Sequence, residues 1–97
     1  MRIFFERTGG LAGIKLTRSL DSSTLPPREA RRLQRLLKQS GFFDLPPVLE
    51  SETSGADFFS YKVTVETEER KYTVEAVEAA IPGTLRPFLD FLAHSSR

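Results

Sequence analysis

The chain has 97 residues, 39% hydrophobic and 28% charged, with a net charge of +1, which fits one domain, residues 1–97, around a modest core and excludes disorder throughout. It has no cysteine and one histidine, which excludes disulfides, thiolate catalysis and cysteine-ligated metal and leaves His94 unable to build the usual imidazole site alone. No charged-then-apolar leader and no run of about 18 apolar residues is seen, so the expectation is a soluble, cytoplasmic protein that does not engage a membrane.

Residues 2–7, RIFFER, are aromatic and β-branched and read as a strand. Ile3 and Phe5 share one face, which puts Phe4 on the other; either that face is covered at one end or Phe4 is an exposed contact residue. The next stretch, RTGGLAGIK, places three glycines and Leu11 between two strand-like runs. Hairpins favour short polar turns, so an apolar tip from Gly9 to Gly13 exceeds what chain reversal requires. The surplus suggests presentation of Leu11, the alternative being a mobile hairpin whose glycines serve backbone geometry alone.

Residues 14–20, IKLTRSL, place Ile14, Leu16 and Leu20 on one side, with Arg18 interrupting the set. Pro26 and Pro27 then suit the first turn of a helix, where a proline forfeits only a donor without an intrahelical partner. Ala30, Leu33, Leu36 and Leu37 recur at helical spacing as the buried stripe, while Arg28, Arg31, Arg32, Arg35 and Lys38 fall on the outer arc. Gly41 supplies the stop.

FFDLPPVLESETSGAD offers two apolar anchors, Phe42 or Phe43 and Leu45, and then loses periodicity, so it reads as an irregular, partly packed loop. From Phe59 to Val65 the alternation is clean, with Phe59, Tyr61, Val63 and Val65 inward. Glu68, Glu69 and Arg70 make a polar turn, and Tyr72, Val74 and Ala76 continue the pattern on a fourth strand. A last helix carries Leu85, Phe88, Leu89 and Leu92 on its inner stripe, with Pro87 inside its first turn, and residues 94–97 are expected to fray. The order ββαββα implies an α+β fold, a four-stranded antiparallel sheet with both helices on one face and the other face wet.

Charge is unevenly placed. Residues 1–40 hold nine Lys or Arg against Glu6, Asp21 and Glu29, and residues 41–97 hold five against ten acids, giving +6 and −5. Mutual pairing and solvated faces account for this, with a steering role as the alternative. No Ser, His and Asp set, no HExxH and no phosphate-cradling glycine motif occurs, so no enzyme and no cofactor are expected. Glu66, Glu68, Glu69 and Glu75 read as a solvated turn, and His94 as a partner of helix-terminal carbonyls rather than of metal. The basic arc, Arg28, Arg31, Arg32, Arg35 and Lys38, could neutralise phosphates. Against nucleic acid stand the near-neutral total and the lack of RNP-like aromatics or a base-reading helix.

The N-terminal strand, followed by TGGLAGIKLTRSLDSSTLPPREARRLQRLL, FFDLP and DFFSYKVTVE, resembles the emfourin family across nearly the whole chain. Its most specific parts are Gly9, Gly10, Ala12, Gly13 and Ile14, then Leu25, Pro26 and Pro27. The family comprises small bacterial proteins that include a proteinaceous inhibitor of protealysin and other thermolysin-like zinc metallopeptidases. The resemblance implies a metallopeptidase inhibitor that carries no metal itself and has no small-molecule substrate. On that implication, Thr8, Gly9, Gly10, Leu11, Ala12 and Gly13 form the protease-binding loop, with Leu11 in the apolar subsite that follows the scissile bond. Alternative contacts are the Glu50–Asp57 segment, whose Glu50, Glu52 and Asp57 could approach the peptidase zinc, and the open sheet face with Phe4. A non-catalytic interaction module with another protein partner stays open, as does the oligomeric state.

Overall fold

The computed structural model describes residues 1–9, 13–50 and 59–94. Strands β1 (Arg2–Gly9) and β2 (Ile14–Asp21) precede helix α1 (Pro27–Ser40), and the short strand β3 (Val48–Leu49) is followed by β4 (Phe59–Glu66), β5 (Lys71–Val77) and helix α2 (Arg86–Ala93). The strands form one sheet in the order β2-β1-β4-β5-β3. Neighbours β2, β1, β4 and β5 are antiparallel, whereas β3 runs parallel to β5, Val48 opposite Glu75 and Leu49 opposite Ala76.

The sheet is therefore mixed and five-stranded, which corrects the expected four antiparallel strands. The extra strand lies inside the segment read as irregular loop. Two residues cannot display an alternation, and their partner is a strand far downstream, so nothing local signals the pairing. What fixes it is backbone and side-chain hydrogen bonding: the Glu75 amide donates to the Pro47 carbonyl at 2.8 Å, and the Tyr72 phenol donates to the Leu45 carbonyl. Pro46 and Pro47 lead into an edge position, where a missing donor is tolerated.

One face of the sheet is covered. Ile3, Phe5, Leu20, Val63, Val65 and Val74 are at most 3% exposed and form one cluster with Leu33, Phe42, Phe88, Leu89 and Leu92. Each buried aliphatic or aromatic side chain contributes about 1.5–3 kcal/mol relative to an exposed one, so α2, which buries Phe88, Leu89 and Leu92 just after the buried Leu85, is held by packing rather than by its eight-residue helical propensity. The helical stripe of α1 is as expected, Leu33 and Leu37 buried and Ala30 and Leu36 partly so. Gly41 ends α1 in the left-handed region, φ +67°, where a side chain would be strained. Ser40, just before it, is buried yet satisfied: its hydroxyl donates to the Leu37 carbonyl at 2.6 Å and accepts from the Phe42 amide at 3.2 Å.

The opposite sheet face is open, and cross-strand pairs organise it. Arg2 sits between Asp21 and Glu66, Glu66 faces Lys71, and the Thr64 and Thr73 hydroxyls meet at 2.8 Å. Phe4 stands among Ser19 and Thr64 on this face, 45% exposed.

Asp21 closes β2 and caps the 3-10 turn Ser22–Thr24, accepting from the Ser23 hydroxyl at 2.7 Å and the Ser23 amide at 3.0 Å. Those two bonds, the hydroxyl foremost, hold its carboxyl below the usual aspartate range. A carboxylate whose pKa is lowered by folding contributes stability that is present above its unfolded value and lost as pH falls through its folded value. Asp21→Asn is therefore expected to cost stability near neutral pH and progressively less below about pH 4, read from melting curves of both proteins across that range.

Candidate functional site

The β1–β2 register places Gly9 opposite Ile14, and the β1–β4 register places the same Gly9 opposite Phe59. Gly9, the last described residue before segment 10–12, thus lies beside Phe59, the first described residue after segment 51–58. Strand β3 runs toward the same end, since Leu49 lies opposite Ala76 and Tyr61 faces that same Ala76 across β4. The described flanks of the two segments read from the sequence as rival contact regions therefore lie at one end of one sheet. Thr8 and Glu50 line a single shallow depression there with Ser60, Glu75 and Val77.

Gly10, Leu11, Ala12, Glu52 and Asp57 lie outside the described residues. Their flanks are described, and both described loop glycines have positive φ: Gly9 at 118° and Gly13 at 62°. A Cβ on Gly13 would meet nothing within 4 Å, so space does not demand glycine there; backbone conformation does. Gly13→Ala is expected to cost about 1 kcal/mol of stability by forcing a side chain into the left-handed region, measurable by denaturant unfolding.

At this end the burial of the inner sheet face declines. Ile14, Leu16, Arg7 and Phe59 share the face that carries Ile3 and Phe5, but Ile14 is 67% exposed and the other three are half-buried. The Arg7 guanidinium lies over the Phe59 ring, 4.7 Å from its centroid. Next along the same face is Tyr61, beside the Arg86–Glu78 ion pair at 3.1 Å. Burial, and then the Glu78 carboxylate, push the Tyr61 phenol up, which keeps it neutral. Burial also works against the charge of Arg86, but its bonds to Glu78 and Tyr61 more than offset that and hold it protonated.

Other candidates fall elsewhere. Phe4 lies five residues from Gly9, about 17 Å along an extended strand, on the opposite sheet face, in a shallow depression with Thr17, Ser19, Lys62, Thr64 and Lys71. Arg28, Arg31, Arg32, Arg35 and Lys38 are exposed on the side of α1 turned from the core, with Arg32 over the Phe91 ring at 5.7 Å. His94 places Nδ1 2.8 Å from the Asp90 carbonyl, the helix-terminal contact expected of it. Among the described residues, no three His, Asp or Glu side chains are grouped to hold a metal, and no helix is long and apolar enough to cross a membrane. What the described arrangement places together is two loop roots, the exposed Ile14 and one cation over an aromatic ring.

Arg7 and Phe59 were not singled out from the sequence. The signal was present for Arg7, because the alternation that turns Ile3 and Phe5 inward also turns Arg7 inward, a charge on an apolar face.

The chain matches the family model Emfourin over residues 5–93. Among solved structures it is similar to emfourin (M4in) from Serratia proteamaculans, an M4 family peptidase inhibitor, with 18% identity, a TM-score of 0.46, and coverage of 97% of this chain and 88% of that one. No curated protein sequence matches it.

Proposed function

The chain belongs to the emfourin family, and we propose that it is a proteinaceous inhibitor of thermolysin-like zinc metallopeptidases that blocks the active-site cleft with the loop Thr8–Gly13. The family match over nearly the full length carries this reading, because the family has a member described as an M4 family peptidase inhibitor. The geometry is compatible with it. Two positive-φ glycines, Gly9 and Gly13, flank segment 10–12 at a sheet end that also carries Glu50 and the exposed Ile14.

In this reading Leu11 fills the apolar subsite after the scissile bond, and a loop carbonyl faces the zinc held by the peptidase. Anchoring of the loop roots in the β1–β2 and β1–β4 ladders limits the freedom lost on binding, so less of the interaction energy is spent on ordering. The inhibitor would slow its own cleavage by the same rigidity.

Competition tests the placement in the cleft. Thermolysin whose active site is filled with a small zinc-directed hydroxamate should fail to form a complex with this protein in size-exclusion chromatography, whereas the free enzyme should co-elute with it. Equal co-elution in both cases would place the contact outside the cleft.

A further inference from the structure

We propose that Arg7 is an electrostatic contact residue of the inhibitory surface, received by a carboxylate on the peptidase rim beside the cleft; this rests on the inhibition proposed above. The guanidinium sits on the helix side of the sheet at the end where burial declines, between Leu16 and Tyr61 in register and over the Phe59 ring at 4.7 Å. Among the described residues, no acidic side chain lies within ion-pair distance of it. Among the described residues, the acids nearest in register or sequence are engaged elsewhere. Glu6 points to the other face and meets Lys15 at 2.7 Å, while Glu78 is bonded to Arg86.

A cation so placed is held over an aromatic ring and, among the described residues, has no carboxylate partner. The Phe59 ring lies beneath the guanidinium, and Leu16 and the 67%-exposed Ile14 extend an apolar frame beside it. An arginine framed by aromatic and aliphatic side chains is the composition that concentrates binding energy in protein interfaces, and the planar guanidinium suits bidentate capture of a carboxylate. The position matters as much as the chemistry. Arg7 is two residues before Gly9, and Phe59 is the first residue after segment 51–58, so any partner seated on both loop roots passes over this pair.

The test is the salt dependence of inhibition. Thermolysin inhibition constants for the wild type, Arg7→Gln and Arg7→Lys are measured at low and high ionic strength, with melting temperatures as the folding control. Arg7→Gln is expected to weaken inhibition about tenfold at low salt and to flatten its salt dependence. Arg7→Lys should keep the salt dependence while losing part of the affinity. A structural role alone would lower the melting temperature without changing the salt slope. If Arg7→Gln does not fold, Phe59→Leu serves instead: it keeps the charge but removes the ring beneath it, and should weaken inhibition with the salt slope retained. An unchanged inhibition constant and salt slope in Arg7→Gln, or in Phe59→Leu an unchanged inhibition constant, would overturn the assignment while leaving inhibition standing. A wild-type protein that does not inhibit at all would overturn both.

Discussion

Leu11→Asp is expected to weaken inhibition of a thermolysin-like peptidase on the order of a hundredfold or more while leaving the melting temperature unchanged. An apolar subsite charges twice for the substitution: it loses the burial of the leucine side chain and must desolvate a carboxylate that has no partner there. The fold is expected to persist, because the described core is made by Ile3, Phe5, Leu20, the β4 and β5 positions facing them, and the two helices. Two comparisons sharpen the result. Glu50→Ala, at the same sheet end, should weaken inhibition modestly, and Phe4→Ala, on the opposite sheet face, should leave it unchanged. Loss of inhibition in Phe4→Ala with Leu11→Asp unaffected would move the contact to the open sheet face.

The second large effect is on stability. Phe42→Ala is expected to cost about 3–5 kcal/mol, a large share of the roughly 5–15 kcal/mol by which a domain of this kind is stable. Phe42 is 1% exposed and is the aromatic hub of the core: its ring meets Phe43 at 5.5 Å, Tyr72 at 5.8 Å and Phe88 at 6.0 Å, all edge-on. It joins the end of α1 to β5 and α2. Phe43 sits one residue on but is only half-buried, roofed by the Arg70 guanidinium at 3.8 Å, so Phe43→Ala should cost markedly less. Urea unfolding of the two variants measures the difference; equal losses would show that the core does not converge on Phe42.

Much of this fold is legible in the residues. Alternation at Tyr61, Val63 and Val65 and helical spacing at Leu85, Phe88, Leu89 and Leu92 name side chains that are all at most 7% exposed. Gly41 stops α1 where its lack of a Cβ predicts. The FFDLPP segment yields its anchors but not which phenylalanine is deeper, because Phe42 and Phe43 are chemically identical and only the turn after Gly41 decides which one points inward. Strand β3 was hidden because two residues have no period and their pairing with β5 is non-local.

The site was legible in pieces rather than as a whole. Glycine spacing drew attention to Gly9 and Gly13, the family resemblance added Thr8, and Glu50 entered as part of an alternative contact segment, so the sequence offered the two segments as competitors. Only the register through Gly9, shared by Ile14 and Phe59, puts their described flanks at one end. Likewise the pattern placed Ile14, Leu16 and Leu20 on one side, as the register has them, yet could not say that burial falls from Leu20 through Leu16 to Ile14. Exposure of Ile14 is a property of tertiary packing, which no strand alternation encodes.

The most direct measurement is the residual activity of thermolysin on a small peptide substrate, titrated with this protein after long preincubation and without chelator. The account predicts activity falling to a stoichiometric end point. Full activity in the presence of excess folded protein, with thermolysin and with a second M4 family peptidase, would contradict it.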